Sequence, residues 1–266
     1  MTSASLSRRI GLARALSKLG YCSRSAAFRL IRAGRVRLND AVRRDPEAPV
    51  HLPNDCIEVD GEVVVRAAKV YLMLNKPRGS VTTASDEKGR KTVYAFLSPD
   101  LQSVAPVGRL DKASEGLLLF SNDSEWSARV LAPTTQLEKI YHVQIDRIAD
   151  STLLQSIGRG TRASDGEFLG VKQARILRSG ERNSWLEIVL DEGKNRHIRR
   201  MLKQLEIEVL RLVRIAIGPL LLGQLPKGKV RSLTIAEKRA LDKAMQDRFA
   251  RTAGSVAYRL SRMNRT

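Results

Sequence analysis

Apolar residues in the first quarter of the chain recur first at the spacing of helices and then at that of strands. Two helices are predicted, with buried faces formed by Ile10, Leu12, Ala13, Leu16 and Leu19, and by Ala26, Ala27, Leu30 and Ile31. Their ends are marked by the C-cap candidates Gly20 and Gly34 and the N-cap candidate Ser23. Short alternating runs then follow, and Asp60-Gly61 is typical of a hairpin turn. Residues 6–66 are therefore predicted to form a compact helix–helix–strand module.

The rest of the chain is richer in strand patterns than in helix patterns. Strands are predicted at 70–74, 116–120, 140–146, 185–190 and 209–216. Helices are predicted after the caps Asp123 or Ser124, from 195 to 205, and after the capping box of Thr234 and Glu237. Because strands and helices do not alternate, an α+β domain at 70–245 is expected, with a largely antiparallel mixed sheet flanked by helices. Residues 246–266 are interpreted as a basic, disordered tail.

Charge narrows the class of partner. The chain has 266 residues with 47 Lys and Arg against 28 Asp and Glu, a net charge of +19. Such an excess is typical of proteins that bind a polyanion, either a nucleic acid or an anionic membrane surface. No apolar run approaches the ~20 residues of a membrane span. The two cysteines, Cys22 and Cys56, make neither a disulfide framework nor a metal set, which fits a cytoplasmic location.

Several catalytic motifs are absent from the sequence. It contains no phosphate-binding Gly-x-x-x-x-Gly-Lys-Ser/Thr loop, no Rossmann glycine pattern after a strand and no Gly-x-Ser-x-Gly elbow. Its three histidines are scattered, so no metal site is predicted. Any chemistry is therefore expected to use carboxylate, Tyr, Lys and Arg side chains, with neither metal nor cofactor.

One segment combines an acid with two bases in a loop that leads into a buried strand, Val107-Gly-Arg109-Leu-Asp111-Lys-Ala-Ser-Glu-Gly-Leu-Leu-Leu119. An Asp in a loop is usually a turn or cap residue. However, this segment closely resembles the signature of the RNA pseudouridine synthases of the small-subunit type, which modify bacterial ribosomal RNA. Further resemblance over about residues 70–240 is carried by segments 74–79, 138–143, 191–202, 211–218 and 225–233.

The N-terminal module resembles the S4 type of RNA-binding domain, through residues 15–24 and 31–36. Three positions depart from the patterns of the two families. Ser124 follows Asn122-Asp123 where glycine is usual, His197 stands where glutamine is common, and Asp40 replaces the usual glycine after Asn39.

The resemblance implies the reaction and its catalytic residues. A pseudouridine synthase detaches uracil from C1′, turns it and rejoins it through C5, which needs an ionised carboxylate and no cofactor. Asp111 is implied to be that carboxylate, either attacking the sugar or removing a sugar proton. Tyr141 is implied to stack on the uracil, and Arg199 to pair with Asp111.

Basic residues are predicted to bind the RNA. In the catalytic domain they are Lys76, Arg78, Arg109, Lys139, Lys194, Arg196 and Arg200. In the N-terminal module the helix pair carries Arg14, Lys18, Arg24, Arg32 and Arg35. For Arg109 and Lys139, a solvated surface charge is the alternative interpretation.

The sequence therefore predicts a monomeric isomerase of ribosomal RNA, acting on free RNA or on an assembling particle. A large-subunit target is slightly favoured over a small-subunit one. The main alternative is a non-catalytic RNA-binding ribosome-assembly factor, which would not need Asp111, Tyr141 and Arg199 together. A membrane-surface protein is suggested only by the charge and by the basic amphipathic start of the chain.

Overall fold

The computed structural model describes residues 9–52, 54–101 and 103–247. The predicted tail lies outside these residues from 248 onwards. The chain divides into two compact units. The first unit contains the chain up to Val70 with Ser98–Ala105 and Ser121–Glu125, and the second contains the remainder. The sequence prediction had assigned the two short segments of the first unit to the catalytic domain.

Up to Val70, the described residues of the first unit form two helices and six short strands. Its elements are β1 Ile10–Gly11, α1 Leu12–Lys18, α2 Arg24–Arg32, β2 Val36–Leu38, β3 Ala41–Arg43, β4 Pro49–Val50, β5 Ile57–Val59 and β6 Glu62–Val63. The predicted N-cap is confirmed, because the Ser23 hydroxyl accepts a hydrogen bond from the backbone N–H of Ala26 at 3.2 Å. The predicted hairpin is also confirmed. Asp60 and Gly61 both have positive φ, as a tight two-residue turn between β5 and β6 requires.

The second unit is built around one large sheet. Its strands are β7 Tyr71–Lys76, β8 Ala105–Val107, β9 Glu115–Ser121, β10 Lys139–Ile145, β11 Thr161–Arg162, β12 Phe168–Leu169, β13 Gln173–Ser179, β14 Ser184–Leu190, β15 Val209–Ile217, β16 Leu220–Leu221 and β17 Val230–Ser232. Its helices are α3 Ser124–Leu131, α4 Ser151–Arg159, α5 His197–Gln204 and α6 at 235–247. Short 3₁₀ helices lie at Val93–Phe96, Pro99–Leu101 and Pro133–Thr135.

The sheet has the order β13-β14-β10-β15-β9-β7-β17, with β8 beside β9 and β16 beside β15. The pairing of β15 with β9 is parallel, whereas β10, β13, β14 and β17 pair antiparallel with their neighbours. A mixed, mostly antiparallel sheet with helices is the predicted α+β class, which is thereby confirmed. Every residue of β9 is buried, which explains its continuous apolar run.

Two hydrophobic clusters flank this sheet. One joins β10, β14 and β15 to α4 and α5 through residues such as Val143, Leu186 and Met201. The other joins β7 and β9 to α3 and α6 through Leu117, Trp126 and Leu241. Helix α5 is thereby fixed by its apolar face, so that its arginines occupy defined positions beside the sheet.

Local differences from the prediction have physical reasons. Ile10 was expected in the first helix, but it pairs with Val50 in a strand, and α1 begins at Leu12. The capping box is confirmed, since Thr234 and Glu237 each accept a hydrogen bond from the other's backbone N–H. Helix α4 and strand β13 were not predicted, because their apolar positions are interrupted by polar ones. Over the three described ranges, no helix is long and apolar enough to cross a lipid bilayer.

Candidate active site

Asp111 lies in the loop between β8 and β9, and this residue is partly exposed. The loop enters β9 through Gly116, which has φ +102° and faces Arg214 in the parallel neighbour β15. A Cβ at Gly116 would lie 2.2 Å from the carbonyl oxygen of Arg214, so only glycine allows this approach of the two strands. The loop that carries Asp111 is thus fixed at its C-terminal end by the sheet.

Lys76, the last residue of β7, anchors the same loop. Its side chain is fully buried, and Nζ donates hydrogen bonds to the carbonyl oxygens of Asp111 at 3.1 Å, Ser114 at 2.9 Å and Pro77 at 3.2 Å. Burial lowers the pKa of Lys76 to about 8, although the charges of Asp111 and Glu115 act in the opposite direction. This placement does not fit the predicted contact with RNA, because a buried ammonium cannot reach a phosphate.

Arg199 on α5 contacts the loop as well. Its guanidinium donates to the carbonyl oxygen of Ala113 at 3.1 Å and to that of Val209 at 3.2 Å. Burial, followed by the nearby charge of Arg196, lowers the pKa of Arg199, whereas the charge of Asp111 raises it. Among the ion pairs between described residues, within 4.0 Å, none joins Arg199 to Asp111. Arg199 therefore contacts the loop that carries Asp111 through a backbone carbonyl, and a direct pair with the carboxylate stays a prediction.

Tyr141 is a half-buried residue of β10, packed against the cluster that includes α5. It lies directly opposite Arg214 in β15, and Arg214 in turn lies opposite Gly116 in β9. Arg214 is 6% exposed and donates from Nε to the carbonyl oxygen of Leu117 at 2.8 Å. Tyr141 therefore lies on β10, and β15 separates this strand from β9, which the Asp111 loop enters. Its predicted stacking on uracil stays a prediction.

Sequence reasoning missed a charged cluster at the base of this loop. Glu115 is 2% exposed; Arg211 donates to it twice at 3.1 Å, and the ammonium of Lys227 lies 2.5 Å away. Burial by itself would raise the pKa of Glu115, but these two cations outweigh it and the net shift of the pKa is downward. The available signal was an acid that opens an otherwise apolar, buried strand.

The predicted RNA-binding residues of this unit divide into two groups. Arg78, Arg109 and Arg196 are exposed, and Arg78 donates a long hydrogen bond of 3.4 Å to the carbonyl oxygen of Leu210. Arg196, in the left-handed conformation at the start of α5, adds positive charge near Arg199. These three guanidiniums are available to phosphates.

The other predicted side chains are engaged within the protein. Lys194 pairs with Glu192 at 2.8 Å, and Arg200 pairs with both Asp165 and Glu167 at 2.6 Å. Lys139 is part-buried, with Nζ 3.5 Å from the carbonyl oxygen of Asp191. Because acidic neighbours neutralise Lys194 and Arg200, the basic face predicted for α5 is weaker than its count of cations indicated.

The first unit shows the same division. Arg14, Arg24 and Arg32 are exposed, and none of the ion pairs between residues described in the structure involves them. Lys18 pairs with Glu125 at 2.7 Å, and Arg35 forms a two-fold hydrogen-bonded pair with Asp60 at 2.8 and 2.5 Å. Arg35 is thus occupied by the hairpin turn, and the three free arginines are the better candidates for RNA contact.

Metal ligands do not assemble at this site. In the parts of the chain that the structure describes, no group of three or more His, Cys, Asp or Glu side chains is arranged to hold a metal ion. The chemistry of the site is that of one loop carboxylate among lysine and arginine cations, with a tyrosine on a neighbouring strand.

The chain is similar to known proteins over most of its length. A family model described as RNA pseudouridylate synthase matches residues 70–204, and a model described as S4 domain matches residues 10–57. An RNA pseudouridine synthase of Aquifex aeolicus is 38% identical over 231 residues, which cover 86% of this chain and 92% of that protein. The ribosomal large subunit pseudouridine synthase B of Bacillus subtilis is 35% identical, with 86% of this chain and 94% of that protein covered.

A solved structure is also similar. The crystal structure of a pseudouridylate synthase superposes with a TM-score of 0.62 at 27% sequence identity, covering 87% of this chain and 99% of that chain. The likeness therefore extends over both units of the molecule.

Proposed function

Because the chain belongs to the RNA pseudouridylate synthase family, we propose that it isomerises a specific uridine of ribosomal RNA to pseudouridine, with Asp111 as the reacting carboxylate. The observation that carries this proposal is the anchoring of one loop by two cations, of which Lys76 is fully buried and Arg199 is partly buried. Lys76 and Arg199 both donate to backbone carbonyls within residues 111–114, and the charge of Asp111 acts on both. A non-catalytic RNA-binding protein would need neither cation at this loop.

The reaction conserves every atom of the uridine apart from exchange with water. The bond from C1′ to N1 breaks, a bond from C1′ to C5 forms, C5 loses its hydrogen as a proton, and N1 takes up a proton. No oxidant or reductant is needed. In either route, attack on the sugar or removal of a sugar proton, Asp111 acts as an ionised carboxylate.

The target base must leave its stack to reach Asp111, which costs a few kcal/mol. Tyr141 is proposed to receive the extruded uracil, because an aromatic ring offers a stacking surface. Arg78, Arg109 and Arg196 are proposed to hold the flanking phosphates. Contacts from the first unit, through Arg14, Arg24 and Arg32 among others, would offset the remaining cost.

The Bacillus subtilis relative is named for the large ribosomal subunit, and on that likeness we propose a large-subunit uridine as the target. We further propose that the protein acts as a monomer in the cytoplasm, where ribosomal RNA is modified. The rival assembly factor is supported by no feature of the site.

The test is the release of tritium from ribosomal RNA labelled at uridine C5. The wild type, Asp111→Asn and the matched control Asp100→Asn, which alters an exposed carboxylate, are compared on large-subunit and small-subunit RNA. Release by the wild type and by the control, with none by Asp111→Asn, is the expected result. Release by all three would remove Asp111 from its role. Binding of RNA without release by any of them would favour the assembly factor.

A further inference from the structure

A cavity of about 350 Å3 lies on the large sheet, away from the residues assigned to catalysis. Four adjacent strands line it: β13, β14, β10 and β15. The lining residues are His142, Leu177, Arg178, Trp185, Arg211 and Val213. His142 follows Tyr141 directly on β10, and successive residues of a strand point to opposite faces. The cavity is therefore on the sheet face opposite Tyr141.

Trp185, on β14, is the aromatic residue of this lining. Two guanidinium groups lie over its indole ring: that of Arg178 at 5.3 Å from the ring centroid and that of Arg211 at 5.5 Å. Energetically significant cation–π contacts occur about once per 70–80 residues, so two on one half-buried ring are unusual. Leu177 and Val213 add apolar walls.

The charge around the ring is positive. Arg211 forms an ion pair with Glu115. Glu187 is paired with Arg175 at 2.7 Å and with His142 at 3.5 Å. Arg178 is exposed, and it takes part in no ion pair among the residues described in the structure. One unneutralised guanidinium thus lies beside an aromatic ring with apolar flanks.

We propose that Trp185, Arg178 and Arg211 form an accessory site for an unpaired nucleotide of the RNA. This inference rests on the proposed function, since it assumes an RNA substrate. Aromatic rings beside arginines bind single-stranded nucleic acid because every base has a face that stacks and every nucleotide has a phosphate that pairs with a cation. Since the site is on the sheet face opposite Tyr141, its nucleotide belongs to a different stretch of the folded RNA from the target uridine. It therefore contributes to affinity and to target choice, and not to the chemical step.

Trp185 itself provides the readout. The chain has two tryptophans, and Trp126 is fully buried, so a nucleotide that stacks on Trp185 quenches one of the two indoles. Fluorescence of the wild type and of Trp185→Phe is titrated with penta-adenylate, with a fully paired RNA duplex and with penta-glutamate. We expect quenching of the wild type by penta-adenylate alone, and none of it in Trp185→Phe. Quenching by penta-glutamate equal to that by penta-adenylate would overturn the proposed site. The site would also be overturned if penta-adenylate bound the protein in a separate filter assay but did not quench Trp185.

Turnover gives an independent measurement. Trp185→Leu and Arg178→Gln should each raise KM for ribosomal RNA by about tenfold and leave kcat unchanged, because a lost stacking or phosphate contact weakens binding uniformly. The matched control is Arg182→Gln, which removes an exposed cation from the same hairpin. A KM equal to that of the control would overturn the proposal, as would a fall in kcat. Absence of tritium release by the wild type would instead refute the proposed function.

Discussion

Replacing Lys76 by methionine separates the positioning of the catalytic loop from the stability of the fold. The ammonium donates to three carbonyl oxygens, two of them in residues 111–114, and it is fully buried. Methionine fills a similar volume but donates no hydrogen bond. The loop that carries Asp111 would then lose its anchor in β7 and keep its contacts with Arg199.

Lys76→Met is expected to change the free energy of unfolding in two opposing ways. A pKa lowered from 10.5 to about 8 means that the buried charge costs about 3 kcal/mol, which methionine removes. Carbonyls left without a donor cost about 1–3 kcal/mol each where water cannot reach them. A net destabilisation of a few kcal/mol at most is expected. For catalysis, displacement of the carboxylate by about 1 Å is enough to lower kcat about 10²-fold.

The assay is single-turnover tritium release with saturating RNA, combined with thermal unfolding of the same preparations. Lys243→Met, which changes an exposed lysine in α6, is the matched control and should retain full activity. The reasoning would be refuted if folded Lys76→Met kept kcat within about threefold of the wild type. It would also be refuted if the variant lost activity only because it had unfolded.

Three further predictions follow from the same site. In the wild type, kcat should fall as pH rises through about 8, the pKa of Lys76. Between pH 8 and 10.5 the contribution of Lys76 to the free energy of unfolding should rise, because the unfolded chain then binds more protons than the folded chain. Parallel pH profiles of turnover and of unfolding test both expectations. Glu115→Gln should destabilise the protein by about 1–2 kcal/mol at neutral pH, because it removes the charge that pairs with Arg211. The destabilisation should shrink as pH falls below the ordinary pKa of Glu, and denaturant unfolding at two pH values measures this change. Arg196→Ala should weaken RNA binding uniformly and reduce the slope of log affinity against log salt by about 1; an unchanged slope would exclude a phosphate contact.

Strand β9 was predictable because burial on both faces leaves a continuous apolar run. Leu117, Leu118 and Leu119 in β9 are fully buried, and their sequence alone indicates that environment. The strand at Gln173–Ser179 was missed because its residues alternate irregularly and a bulge lies between Ile176 and Arg178. Periodicity cannot show a strand whose register shifts within its own length.

Within the candidate site, the resemblance to the family identified Asp111, Tyr141 and Arg199. The RNA-binding cations, in contrast, were predicted from their charge alone. Charge does not distinguish a buried lysine from an exposed one. Lys76 and Arg78, two residues apart, were both predicted to bind RNA, yet one is fully buried beneath the loop and the other is exposed. Only the packing of β7 within the sheet makes that distinction.

The sequence by itself determined the α+β class, the helix caps, the hairpin turn and the family, because each depends on local chemistry or on an ordered set of motifs. The tertiary structure alone decided which cations are free. Glu115, Arg211 and Lys227 are far apart along the chain. Glu115 and Arg211 meet because β9 pairs in parallel with β15, and Lys227 reaches the same carboxylate from the loop before β17. The pairing of β10 with both β14 and β15 brings Arg211 near Trp185, since each lies opposite Gln144. A contact between distant residues depends on the register of the strands that carry them, and no local pattern in the chain encodes that register.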